Sequence, residues 1–181
     1  FVMHTNDAAV DFRVLITSDA PGTGGWTELI AHQPGRRILG VEAFAGHLVI
    51  HQWADAQPQL RVVFRDRTER IIDLCSEPHD VEPASNPEWN TDILRFTVQS
   101  LTAPSTLYDE HVVTGERTLM RRIPTPNVDL DAYRARRLWA TADDGTRVPY
   151  DIVHHVDTPL DGSAPGVLYA YGAYEASLPP W

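Results

Sequence analysis

The side chains in this sequence best suited to chemistry lie close to its end, in Leu168-Tyr169-Ala170-Tyr171-Gly172-Ala173-Tyr174. Three phenols alternate there with small residues. A phenol has a reference pKa of about 10, so at pH 7 it is neutral and can donate a hydrogen bond to a developing negative charge. Tyr169 and Tyr171 are two apart, so an extended chain turns both to one side. Only one of them can sit at a single reacting oxygen. His154 and His155 are adjacent, point to opposite faces of a strand and cannot form one site by themselves. Ser163 lies in a polar loop and Ser177 in a trailing turn, and neither stands in a Gly-x-Ser-x-Gly nucleophile elbow. Metal chemistry finds no support: there is no His-Glu-x-x-His, no Cys pair and no EF-hand loop, and Asp129 and Asp131 read as residues that solvate a linker. No cofactor is implied. Cys75 closes an apolar strand and reads as a small buried hydrophobe. Trp53, Trp89 and Trp139 read as packing residues in preference to the lining of a peptide cavity.

These residues need a scaffold, and 181 residues with 43% apolar content can build one large domain or two small ones. The net charge of -10 argues against a nucleic-acid partner, because such affinity comes mainly from Lys and Arg clustered on phosphates. All 15 cationic residues are Arg, which reads as a compositional bias. A single Cys cannot form an internal disulfide, and no stretch at the start has the grammar of a secretory leader, so a reducing cytoplasm is the expected compartment. No apolar run approaches the roughly 18 to 20 residues that span a bilayer, so no membrane partner is expected. Phe1 to Asn6 reads as a strand in progress, and Trp181 follows soon after the aromatic stretch. The sequence therefore reads as an excerpt of a longer chain.

Strand-like phrases recur. Val2-Met3-His4-Thr5, Leu48-Val49-Ile50-His51 and Leu94-Arg95-Phe96-Thr97-Val98 lie about 46 residues apart. Phe12 to Ile16, Leu60 to Phe64 and Thr106 to Asp109 form a second set. Trp26 to Ile30, Thr68 to Ile72 and Gly115 to Leu119 form a third, in which Glu28, Glu69 and Glu116 fall in register. A fourth kind of strand lies between the units, at Gly40 to Phe44 and Asp80 to Ala84. Turn residues separate the strands, among them Asp19 to Gly25. Four strands with a period of about 45 residues are the signature of a β-propeller blade, although a β-sandwich of similar strand count shares the spacing. Residues 1–122 read as the last two to three blades of a propeller. Leu48, Val49 and Ile50 are consecutive, as expected of a strand buried on both faces.

Residues 123–132 break the pattern with two prolines and two acids and read as an extended surface linker. Beyond it, Tyr133 to Ala142 and Arg147 to His154 flank Asp143-Asp144-Gly145, a strong hairpin signal. Gly166 to Tyr169 reads as a third strand.

With these elements in place the chain resembles the prolyl oligopeptidase family of serine peptidases, and within it the oligopeptidase B branch. The resemblance rests on Thr106-Leu107-Tyr108-Asp109 with Thr114-Gly115-Glu116-Arg117, on Leu138 to Pro149, and on Tyr169 to Ser177. It implies a mainly β chain: partial propeller over 1–122, linker over 123–132, and the first strands of an α/β-hydrolase domain over 133–181. It also implies a cytosolic serine oligopeptidase acting on short peptides after Arg or Lys, with the propeller gating access. Tyr171 would donate to the oxyanion, and Tyr169 would be structural. The catalytic Ser, Asp and His would lie beyond Trp181, leaving this piece inactive without the rest of its propeller and catalytic domain. Ala170 and Ala173 stand where the family usually has Gly or Ser, and Glu175 where Gly is common. A non-enzymatic propeller that binds peptides or proteins is the alternative class, and a proline-specific endopeptidase or an acylaminoacyl peptidase the alternatives within the family. A pure propeller would continue its repeat past residue 123.

Overall fold

A computed structural model describes residues 1–18, 20, 22–174 and 177–180. Asp19 and Pro21 of the first long turn, Glu175 and the terminal Trp181 lie outside the described residues. Among the described residues, apart from one 3-10 turn at Leu130–Ala132, the regular elements are all strands: β1 (Val2–Thr5), β2 (Arg13–Ile16), β3 (Thr27–Ile30), β4 (Arg36–Ala43), β5 (His47–Ala54), β6 (Gln57–Phe64), β7 (Glu69–Ile71), β8 (His79–Pro83), β9 (Ile93–Ser100), β10 (Thr106–His111), β11 (Arg117–Arg122), β12 (Tyr133–Thr141) and β13 (Arg147–His155).

Strands adjacent in sequence pair antiparallel, giving three meander sheets in succession: β1-β2-β3, β4-β5-β6-β7 and β8-β9-β10-β11. The recurring phrases of the sequence occupy equivalent places, with β1, β5 and β9 each leading through a hairpin into β2, β6 and β10. The two weaker phrases are β4 and β8, each at the edge of a four-stranded sheet.

The middle sheet accounts for the apolar run at 48–50. Val49, Leu60 and Val62 turn one way, onto Val81, Leu94 and Phe96 of the third sheet and Val112 just after β10. Ile38, Ile50 and Val63 turn the other way, onto Val14 and Ile30 of the first. Because side chains alternate along a strand, neighbouring apolar residues can both be buried only when a sheet is covered on both faces. At about 25 cal/mol per Å² of apolar surface removed from water, each such seam is a major source of stability.

Ion pairs repeat with the strands. Arg13 on β2 faces Glu28 on β3 at 3.5 Å, and Arg61 on β6 pairs with Glu69 on β7. In the third sheet the signs exchange: Glu110 on β10 accepts from Arg117 on β11, its register partner, at 2.5 Å. Glu116, expected in register with Glu28 and Glu69, sits in the β10–β11 turn, and its carbonyl accepts from the amide of His111. Glu110 also accepts from Arg70 Nη2 of the middle sheet at 2.5 Å. One buried carboxylate thus ties two sheets. Gly115 is required beside it, since its φ is +77° and a Cβ there would stand 3.2 Å from Arg70 Nη1.

The linker is not extended throughout. The Asp129 carboxylate caps the 3-10 turn by accepting from the Asp131 amide. A capping residue at that place gives the N–H of the turn's second residue a partner, which Pro124 and Pro126 upstream cannot influence. The β12–β13 hairpin forms as expected around Asp143-Asp144-Gly145, with Tyr133 opposite His155 and Thr141 opposite Arg147. The third strand expected at Gly166 to Tyr169 is absent: Val167 is 98% and Leu168 91% exposed. A strand exists through its ladder, and among the described residues none pairs with this run.

Candidate functional site

Tyr171 is half exposed, in irregular chain that follows the hairpin, and Tyr169 and Tyr174 are more exposed still. Among the described residues no Ser, His or acid is hydrogen-bonded to these phenols. The other candidates are committed elsewhere. The Ser163 hydroxyl donates to Asp161 at 2.6 Å within a local turn, which also holds the Asp161 carboxyl below the usual range. Ser177 is exposed. His154 Nδ1 lies 2.8 Å from the His155 carbonyl, while the His155 ring stands edge-on to Tyr133 and 3.5 Å from Asp157. The two rings do not meet in one site.

The structure instead gathers side chains where the hairpin meets the middle sheet. Arg137 and Asp151 face each other across β12 and β13. Nε and Nη2 of Arg137 reach the two oxygens of Asp151 at 2.8 and 2.7 Å, a bidentate pair. Nη1 donates to the carbonyl of Ala56, in the turn between β5 and β6. Beside it lies His79, buried at the start of β8, with Nδ1 2.8 Å from Gln57 Nε2 and 2.8 Å from the Glu77 carbonyl. Burial pushes the His79 imidazole below its ordinary value, and the positive charge of Arg137 acts in the same direction.

Cys75 is exposed in the loop after β7, not buried as its apolar context suggests. The strand ends at Ile71, so the loop carries the thiol past the seam. Its Sγ sits 3.4 Å from His79 Nδ1, a thiol–imidazole contact that invites a catalytic reading. The electrostatics oppose one. Desolvation pushes the Cys75 thiol up while burial pushes His79 down, so both are neutral near pH 7 and no thiolate–imidazolium pair forms.

A cleft of about 660 Å³ opens between the first and middle sheets, where Phe44, Phe64 and Trp89 surround His47. His47 is 3% exposed, stacks on Phe44 at 4.6 Å, and is pushed below its ordinary pKa by burial. No Ser or Cys is hydrogen-bonded to it among the described residues. Of the three tryptophans read as packing residues, Trp53 is half-buried in β5, Trp89 is exposed at this cleft, and Trp139 carries Arg147 over its ring at 4.5 Å.

Residue reasoning missed Arg137 with Asp151, and Glu110 with its two arginines. The first pair was within reach: counting back from Asp144-Gly145 places Arg137 opposite Asp151, and opposite charges directly across a hairpin are a stabilising pair. Nothing in the sequence joins Arg70 to Glu110, because that contact crosses between sheets.

Comparison with known proteins agrees with this architecture. Residues 1–122 match the model of the prolyl oligopeptidase N-terminal beta-propeller domain. Dipeptidyl aminopeptidase BI of Pseudoxanthomonas mexicana is 34% identical over 99% of the chain and 25% of its own length. Protease 2 of Moraxella lacunata is 25% identical over 97% of the chain and 25% of its own length. Among solved structures, oligopeptidase B from Trypanosoma brucei with covalently bound antipain superposes with a TM-score of 0.86 at 28% identity, covering 99% of the chain and 27% of that protein. The chain thus spans about a quarter of the length of these relatives. The relatives are peptidases, the sheets 1–122 are those of their propeller, and this chain belongs to the prolyl oligopeptidase family.

Proposed function

We propose that the chain is part of a cytoplasmic serine oligopeptidase that hydrolyses short peptides after Arg or Lys, its propeller limiting which substrates reach the active site. The observation that carries this reading is the succession of family propeller sheets, linker, hairpin and Tyr-x-Tyr-Gly turn in one chain. A purely binding propeller has no use for the last three. The preference for Arg or Lys rests on the likeness to oligopeptidase B.

In such an enzyme the scissile carbonyl oxygen becomes an oxyanion as the nucleophile attacks, and preorganised donors stabilise it most where water is excluded. Tyr171 serves as one donor through its phenolic hydroxyl, and Tyr169 has a structural part only. The nucleophile, acid and base come from the remainder of a longer protein, so the 181 residues alone are inactive. Serine-dependent turnover of an Arg-linked reporter by the pure chain overturns that part. In the longer protein Tyr171→Phe lowers kcat by 100- to 1000-fold, the usual cost of about 2.7 to 4 kcal/mol for losing one oxyanion donor. An unchanged kcat removes Tyr171 from the chemistry.

The identity to a dipeptidyl aminopeptidase favours a second reading, release of dipeptides from a free amino terminus. Two reporters separate them. Cleavage of an N-blocked Arg reporter supports the endopeptidase reading, and turnover confined to an unblocked dipeptidyl reporter supports the other.

A further inference from the structure

Among the described residues, one hydrogen bond crosses from the β12–β13 hairpin to the sheets, that of Arg137 Nη1 to the carbonyl of Ala56, 81 positions away. The donor and the acceptor are both built for the contact. On the donor side, Asp151 grips the guanidinium by two hydrogen bonds, and the side chains of Arg137 and Asp151 are only 15% and 16% exposed. A bidentate fork fixes the plane of the guanidinium and so the direction of its remaining nitrogen. On the acceptor side, Asp55 and Ala56 form a two-residue turn with φ of 52° and 59°. Two successive left-handed residues define the tight hairpin turn that matches strand twist, and such a turn holds its carbonyls rigidly. Asp tolerates that conformation, whereas Ala adopts it under strain. The carbonyl of this left-handed residue therefore sits where the guanidinium points.

We propose that Arg137 is a positioning residue: held by Asp151, it latches the hairpin onto the β5–β6 turn and fixes the orientation of the segment that leads to Tyr171 relative to the middle sheet. The alternative is that Arg137 and Asp151 serve only the hairpin, as any cross-strand ion pair would. The two differ in what breaks. A latch controls where an intact hairpin sits, and a cross-strand pair controls whether the hairpin holds together. The proposal does not depend on the peptidase reading, and its test uses no activity.

The experiment measures the distance distribution between spin labels on the full 181-residue chain in a Cys75→Ser background. The labels go on Asp143→Cys at the hairpin tip and Glu88→Cys in the loop between β8 and β9, both exposed. Amide exchange of β12 and β13 is read in parallel. The parent should give one narrow distance peak. Arg137→Ala should widen it at least twofold while exchange within the hairpin changes by less than tenfold, and Asp151→Asn should widen it to a lesser degree. Ala56→Gly retains the carbonyl and should stay narrow. Arg137→Lys, which keeps the charge and loses the fork, serves if Arg137→Ala fails to fold, and should widen the peak as well. An unchanged distance peak in the Arg137 variant overturns the proposal. So does loss of hairpin protection without a change in distance, which assigns the pair to the hairpin alone.

Discussion

Glu110→Gln weakens the carboxylate that ties the middle and third sheets. The Glu110 side chain is 1% exposed and accepts from Arg70 at 2.5 Å and from Arg117 at 2.8 and 2.5 Å. Gln keeps the volume and one acceptor, and removes the charge that the two guanidiniums share. Breaking a fully buried ion pair costs about 3 to 5 kcal/mol, because an uncompensated charge stays behind. Here the charges left behind are the arginines, whose side chains are 31% and 27% exposed. They regain water in part, and Arg117 keeps its bond to the Asp73 carbonyl and its place over Phe96 and Tyr108. The loss should therefore be about 2 to 3 kcal/mol, below the fully buried figure. For a chain of this size that is a fall in Tm of about 4 to 12 °C.

Urea denaturation followed by tryptophan fluorescence measures it, with Glu69→Gln as the comparison. Glu69 bonds Arg61 through both oxygens, but its side chain is 44% exposed, so its loss should cost no more than about 1 kcal/mol. Unchanged m-values would show that both variants unfold as the parent does. If Glu110→Gln costs as little as Glu69→Gln, burial does not set the strength of this bond and the reasoning fails.

Stability should fall as pH drops below about 6.5. Burial holds His4, His47, His51 and His79 below that ordinary value, so between the folded and unfolded pKa values the unfolded chain binds more protons and is favoured. Glu42 and Asp80 are raised by burial, so their contribution is complete below about 4 and is lost as pH rises through their folded values, the opposite sign to that of the histidines. A thermal melt series should show Tm level above pH 7 and declining from 6.5 towards 5, and a level Tm over that range contradicts the sign. Cys75 should react slowly with a disulfide reagent at pH 7 for so exposed a residue, and faster as pH rises past 9; a rate at pH 7 above that of a free thiol would mean that His79 activates it.

Strand order and sheet boundaries were legible because period-2 patterning, turn residues and the spacing of about 46 residues all report local pairing. The buried middle sheet was legible too, through three consecutive apolar residues at 48–50. Cys75 was misjudged because an apolar neighbourhood in sequence says nothing of where a strand stops, and β7 stops four residues before it. The strand expected at 166–169 has the composition of one, but composition cannot supply the ladder partner that makes a strand. The hairpin pair Arg137 with Asp151 was countable from its turn. Arg70 with Glu110, and Arg137 with Ala56, join elements whose approach depends on how sheets pack, which no local pattern encodes. The aromatic turn was legible only in its residue types, and among the described residues its phenols are exposed, with no Ser, His or acid hydrogen-bonded to them.

The two long-range arginine contacts divide the work between stability and placement. Arg70 and Arg117 converge on a carboxylate inside a seam already lined by Val81, Leu94 and Phe96, so their loss is felt as stability and leaves the strand order unchanged. Arg137 reaches a carbonyl on a turn at the edge of the middle sheet, outside either apolar cluster. Its loss opens no apolar seam, and what it changes first is where the hairpin points. Since a misplacement of about 1 Å at a reacting group can cost 100-fold in rate, a contact of small energetic weight can have a large effect on catalysis. Substitutions at Glu110 should therefore lower the melting temperature of a longer enzyme in proportion to any loss of activity, whereas those at Arg137, which also leave the largely buried Asp151 without its partner, should lower kcat by more than their fall in melting temperature accounts for.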